Sequence, residues 1–253
     1  MLNASPDLRQ QIGENAQLHP RGDDRHSPIR GVVLTNADVD HVAGLLTLRE
    51  SQPLTLYATE RIQSVLAANA VFNVLNPNFV ERRAVRLAEP FRLAPAERME
   101  VELFAVPGKV ALWLEDASAG PGFGTEEGDT VGVRIRDTAA DREFFYIPGC
   151  ARLSPELAAR LEGAELVLFD GTLWRDDEMV GAGLGVKTGQ RMGHMSMSGP
   201  DGSIAAFADL GVRRRMFIHL NNTNPVLLAD SPERAEVVAA GWQVACDGME
   251  IEL

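Results

Sequence analysis

Cysteine is nearly absent. Cys150 and Cys246 are the two in 253 residues. Two distant thiols build neither a disulfide framework nor a CxxC zinc knuckle. A reducing cytosol is the compartment this usage fits. Long apolar runs are missing too. No stretch reaches the ~18 consecutive apolar residues of a membrane-spanning helix. No basic start followed by an apolar stretch marks a secretory signal. Basic charge is scarce, with 24 Lys and Arg against 36 Asp and Glu and a net charge of −12. Nucleic-acid binding needs clustered cations, so the expected partners include neither nucleic acid nor membrane. The short run Arg213 to Arg215 reads as a solvated edge. Hydrophobic residues at 45% and charged residues at 24% are ordinary for a globular chain.

What is present concentrates at strand ends. The run TNADVDHVAGLL (35–46) follows the apolar run IRGVVL. The apolar part predicts a buried strand and VAGLLTLRE the start of a helix. Asp38, Asp40 and His41 fall on the tight loop between them, where open α/β sheets bind ligands. Carboxylates and imidazole are poor core residues, so a metal site explains the cluster. A plain helix cap explains it too, with Asp40 capping the helix near His41. Far along the chain, MFIHL predicts a strand with His219 near its end. The Asn221 to Asn224 run behind it supplies hydrogen-bonding groups rather than apolar packing.

Other strand-like runs are 54–58, 101–106, 111–115, 130–137, 143–149, 165–171 and the tail from Val244 to Leu253. Ser154, Pro155 and Glu156 open one helix in the usual order of cap, first position and first-turn acid. SPERAEVVAAG (231–241) repeats that grammar and stops on Gly241. Residues 59–75 form the longest predicted helix, with Ile62, Val65 and Leu66 on one face. Both ends alternate strand and helix, while the middle holds adjacent strands. That mixture predicts an α/β fold of four layers, α/β/β/α. The Gly-rich stretch 117–130 reads as a mobile flap or a long hairpin connection.

ELVLFDG ends a strand on Asp170, which reads equally as a turn former or a metal-centre group. The segment after it is Gly-rich and carries His194, a candidate helix terminus, metal ligand or substrate contact. Arg175, Lys187 and Arg191 nearby are candidates to receive a substrate carboxylate, against the plainer reading of a solvated loop face. His19 and His26, in the polar stretch 19–28, read as solvated.

Asp-x-Asp-His-x-x-Gly after a strand, the late histidine in IHLNNTNP, and LFDGTLWRDDEM together resemble the metallo-β-lactamase superfamily. Within it the chain resembles the family that acts in pyrroloquinoline quinone (PQQ) biosynthesis. LNASPDLR, GHMSMSGP, SPER and DGMEIEL extend the likeness over almost the whole chain, so 1–253 reads as one metallo-β-lactamase-like domain. The superfamily's hydrolases carry a His-x-His-x-Asp-His string. Here Asn36 and Asp38 replace the two leading histidines, and only Asp40 and His41 keep their types. The middle histidine has no counterpart in 128–135, and Cys150 or a neighbour stands where a bridging aspartate is expected. A binuclear zinc hydrolase site is therefore not expected.

His41, His219 and Asp40 remain as metal ligands. Two imidazoles and one carboxylate with open positions are the donor set of non-haem Fe(II) oxygenases. The resemblance implies the same chemistry: iron-dependent hydroxylation of the tyrosine ring in a Glu-Tyr-type unit from a precursor peptide. It places the chain among other PQQ-pathway proteins and is compatible with a homodimer. Zn(II) is the alternative occupant in purified protein. Asp38, Asp170 and His194 are then the candidates to orient substrate or move protons. The alternatives are a carrier role for PQQ or its precursor towards the periplasm, and a zinc hydrolase of the same fold. Relatives carry an additional N-terminal stretch with the first strands and a cysteine cluster resembling a structural zinc site. That segment is not seen before Met1, so no structural zinc is expected. Metal ligation needs neutral imidazole, so affinity is expected to fall below about pH 6 to 7.

Overall fold

A computed structural model describes residues 1–22, 26–120 and 122–253. The polar stretch 19–28 and the loop 117–130 thus fall partly outside the described residues. The chain forms two compact units: residues 1–103 with 110–129, and residues 104–109 with 130–253.

The first unit opens with helix α1 (Leu8–Glu14), strand β1 (Gly31–Val33) and the single turn α2 (Val39–Val42). Then come β2 (Leu54–Ala58), α3 (Glu60–Ala68), β3 (Val80–Ala84), β4 (Phe91–Arg92) and β5 (Met99–Ala105), whose last two residues belong to the second unit. β1, β2 and β3 are parallel neighbours, with Val32 opposite Leu56 and Leu56 opposite Arg82. The chain start runs beside β1, where Asn3 N–H donates to Val33 O at 2.9 Å and Val33 N–H to Met1 O at 2.9 Å. Val32, Leu34, Leu45, Leu56, Ile62 and Leu66 fill the core. Their burial is the force that orders the unit, because apolar surface leaving water stabilises by ~25 cal/mol per Å2.

In the second unit β6 (Val131–Asp137) and β7 (Arg142–Ile147) form an antiparallel hairpin. Helix α4 (Pro155–Leu161) leads to β8 (Leu166–Asp170). Three single turns follow: α5 (Glu178–Gly181), α6 (Gly189–Met192) and α7 (Ser203–Ala206). Strand β9 (Arg214–Ile218), helix α8 (Pro232–Ala239) and β10 (Trp242–Val244) complete it. The strand order is β10-β9-β8-β7-β6, with the four strands β7 to β10 parallel. Trp242 stacks on Phe217 with centroids 4.0 Å apart, and Phe207 meets Trp242 edge-on at 5.1 Å. These rings anchor the core that holds β8 and β9 side by side.

Several local expectations change. Residues 111–115 are not a strand: Leu112–Leu114 is a turn of 3-10 helix with all three side chains exposed. The Leu112 N–H goes to the carboxylate of Asp38 at 2.8 Å rather than to a sheet ladder. The tail is a strand only at Trp242–Val244. Beyond it, Gly248 at φ +76° and a Met249 N–H to Cys246 O bond turn the chain. The helix expected after His41 is one α turn continued as 3-10 helix over Ala43–Leu48. The helix of 59–75 stops at Ala68, because Asn69 leaves the helical region and its amide donates back to Val65 O at 2.7 Å. Of the stretch 117–130, Gly128 and Asp129 are tied down within the first unit. Thr59 Oγ1 donates to Gly128 O at 2.7 Å, and Arg61 grips Asp129 at 3.1 and 3.3 Å.

Candidate metal centre

The first-unit residues are set by the turn after β1. Asn36 Oδ1 accepts the N–H of Asp38 at 2.9 Å, which bends the chain into α2. Asp38, not Asp40, occupies the cap position, and its side chain makes no cap bond because Oδ1 holds Leu112. Asp40 and His41 lie in the turn that follows. His41 is buried at 4% exposure, and its Nδ1 lies 3.1 Å from Asp40 Oδ1. Gly44 explains the glycine of the motif. A Cβ there would meet the Ser5 carbonyl oxygen at 2.1 Å, so only glycine lets the chain start pack against this turn. Ala4 N–H donates to His41 O at 2.7 Å, which fixes the backbone that carries the imidazole.

The second-unit residues converge at the ends of β8 and β9. Asp170, the last residue of β8, is fully buried. Its carboxylate takes hydrogen bonds from Cys150 N–H at 2.9 Å, Thr172 N–H at 3.1 Å and Thr172 Oγ1 at 2.6 Å. His194 Nδ1 lies 2.7 Å from its other side. Burial pushes this carboxyl up, but His194, His219 and the Thr172 hydroxyl together outweigh it and hold it below the usual carboxylate range. His219 follows β9 at φ +57°, a left-handed backbone uncommon outside glycine. Gly171 N–H to Ile218 O at 2.8 Å and Asn221 N–H to Thr172 O at 3.0 Å pin that turn. The His194 and His219 rings stack with centroids 5.4 Å apart.

Asp170, His194 and His219 therefore come together, each offering a ligand atom within 4.8 Å of the others. Asp40 and His41 come together in the first unit. Arg175 lies 3.9 Å from Asp177, so its nearest charge is its own loop's. His19 is exposed and His26 half-buried. Cys150 supplies no thiolate: burial, then the charge of Asp170, pushes its thiol up to about 12. Its Sγ faces Arg152 O at 3.1 Å. The donor set is thus imidazole and carboxylate, which fits a divalent ion such as iron or zinc. The Nδ1 atoms of His194 and His219 face a carboxylate and a hydroxyl, the partners that ligating histidines usually have. Thr172 is the residue sequence reasoning missed. Its signal was the Thr two places after a strand-end Asp, which reads first as turn chemistry.

The chain matches the beta-lactamase superfamily domain over residues 1–220. It is 56% identical over 253 residues to coenzyme PQQ synthesis protein B of Methylorubrum extorquens (strain PA1), covering 100% of this chain and 83% of that one. The protein of the same description from Bradyrhizobium diazoefficiens is 52% identical over 258 residues, again with 100% and 83% covered. The chain belongs to the PqqB family of the beta-lactamase superfamily. A crystal structure of Zn2+-bound PqqB from Methylobacterium extorquens matches with a TM-score of 0.92 at 54% identity, covering 100% of this chain and 82% of that one. The PqqB family fixes the general role as PQQ biosynthesis and the fold as the α/β fold of the superfamily. Among the described residues no helix is long and apolar enough to cross a membrane.

Proposed function

We propose that this PqqB-family chain hydroxylates the tyrosine ring of a Glu-Tyr-type precursor in PQQ biosynthesis, using one Fe(II) held by Asp40, His41 and His219. The observation that carries this reading is the donor chemistry. Every candidate ligand is imidazole or carboxylate, and the one nearby thiol is locked in its protonated form. A set of two histidines and one carboxylate is typical of Fe(II) oxygenases. The Methylobacterium relative is a Zn2+-bound protein, which is in keeping with a family that takes up divalent ions. Bound Fe(II) would supply the redox chemistry that couples O2 to the phenol ring.

The chain's own residues do the rest. Asp170 is buried beside His194 and, as a carboxylate, accepts a hydrogen bond from Nδ1–H of that ring. The pair is built to hold a proton and pass it through the other ring nitrogen, which is general acid–base work. Asp38 holds Leu112 with one carboxylate oxygen and orients substrate with the other. One oxygen atom enters the ring and the other leaves as water, which takes two electrons and two protons, so the test is oxygen uptake by the iron-loaded protein with a Glu-Tyr peptide and a two-electron reductant such as ascorbate. Uptake with hydroxylated tyrosine as product is expected. Turnover that ignores O2 points to a zinc hydrolase instead, and binding of the intermediate without turnover points to a carrier.

A further inference from the structure

The Thr172 hydroxyl has one hydrogen and two lone pairs. Four acceptors or donors surround it: Asp170 Oδ1 at 2.6 Å, His219 Nδ1 at 2.8 Å, His194 Nδ1 at 3.1 Å and His219 O at 3.1 Å. One hydrogen serves one of them as its main partner. The carboxylate oxygen is nearest and charged, and charge-assisted bonds are the shortest and strongest. The carboxylate also accepts from two backbone N–H groups, at Cys150 and Thr172, so it is the acceptor throughout. The hydroxyl hydrogen therefore points at Asp170. Towards both imidazoles Oγ1 is then an acceptor, and each Nδ1 facing it carries a proton. His194 has a closer acceptor in Asp170 Oδ2, at 2.7 Å. For the Nδ1 of His219, Thr172 is nearer than Asp170, whose Oδ1 is 4.0 Å away.

We propose that Thr172 is a positioning residue that locks His219 as the Nδ1–H tautomer, so that the lone pair of the ring sits on Nε2. The backbone at His219 is left-handed, and Gly171 N–H to Ile218 O at 2.8 Å and Asn221 N–H to Thr172 O at 3.0 Å hold the turn around it. A non-glycine residue in that region is strained and persists only where its surroundings over-determine it. Thr172 holds the ring and its neighbours hold the backbone, so β8 sets how β9 presents its histidine. The functional meaning of this latch rests on the metal reading given above, but the tautomer does not.

The test is long-range 1H–15N correlation on metal-free, histidine-labelled protein at about pH 8, where imidazole is neutral. His219 is identified by its loss in His219→Gln. Wild type and Thr172→Ser are expected to show His219 with the proton on Nδ1. Thr172→Val, close in shape but without the hydroxyl, is expected to shift His219 towards the Nε2–H form. Thr172→Ala replaces it should the valine variant fail to fold. Titration with Zn2+ as probe should then show affinity down about 10–100-fold in the variant without the hydroxyl, the range typical of lost supporting partners. Nε2–H in wild type, or an unchanged tautomer without the hydroxyl, overturns the proposal. A changed tautomer with unchanged Zn2+ affinity supports the latch and counts against His219 as a ligand.

Discussion

At the scale of single residues, Asp170 is the most exacting position. Its carboxylate sits at 0% exposure with donors from Cys150, Thr172 and His194. Asp170→Asn turns an amide N–H2 towards some of those donors. It is expected to lower stability at neutral pH by about 3–5 kcal/mol, as for a broken buried pair. The pH dependence follows from the depressed carboxyl. The stabilisation is complete above the ordinary value of 3.8 and is lost as pH falls below it through the folded-state value. Acid unfolding followed by circular dichroism should show that loss in wild type and not in Asp170→Asn. Cysteine labelling checks the same pocket. Cys246 is exposed, while Cys150 is buried with its thiol pushed up to about 12. Iodoacetamide at pH 8 should modify one thiol in the native protein and two in denaturant. Asp170 was legible as a candidate because a carboxylate ending an apolar strand demands a reason, while His194 lay in a Gly-rich segment with no spacing to mark its role. Thr172 was not legible, since its role depends on β9 lying beside β8, a pairing of residues about fifty apart in the chain.

At the scale of elements, caps were readable and exceptions to propensity were not. Ser154, Ser231 and Thr59 each accept the N–H three residues on, at 3.3, 3.0 and 3.3 Å. Ser231→Ala is expected to destabilise by about 1 kcal/mol in urea unfolding, with an unchanged m-value. Residues 111–115 misled for a local reason. ALWLE has strand composition, but its N–H groups follow the Asp38 carboxylate and a 3-10 turn. The strand β3 was invisible because VERRA looks solvated, and only Val80 is buried. Gly44 gives a sharper test of how the DHVAG turn is built. Gly44→Ala drives a methyl into the Ser5 carbonyl. It should lower stability by about 1–3 kcal/mol, the range for overpacking a close contact. A neutral result would mean the chain start does not pack there.

At the scale of the whole molecule, the family was legible from ordered motifs spread along the chain, and the match to PqqB relatives bears it out. The acidic balance of 36 Asp and Glu against 24 Lys and Arg gives the chain a net negative charge that disfavours polyanions. Each unit has its own apolar core. The proposed metal ligands are Asp40, His41 and His219. That ligand set is the central claim. Metal content of His41→Ala and His219→Ala, read by mass spectrometry after iron loading and desalting, tests this most directly. Both folded variants should lose the stoichiometric iron of the wild type. Full iron retention by either one would contradict the account.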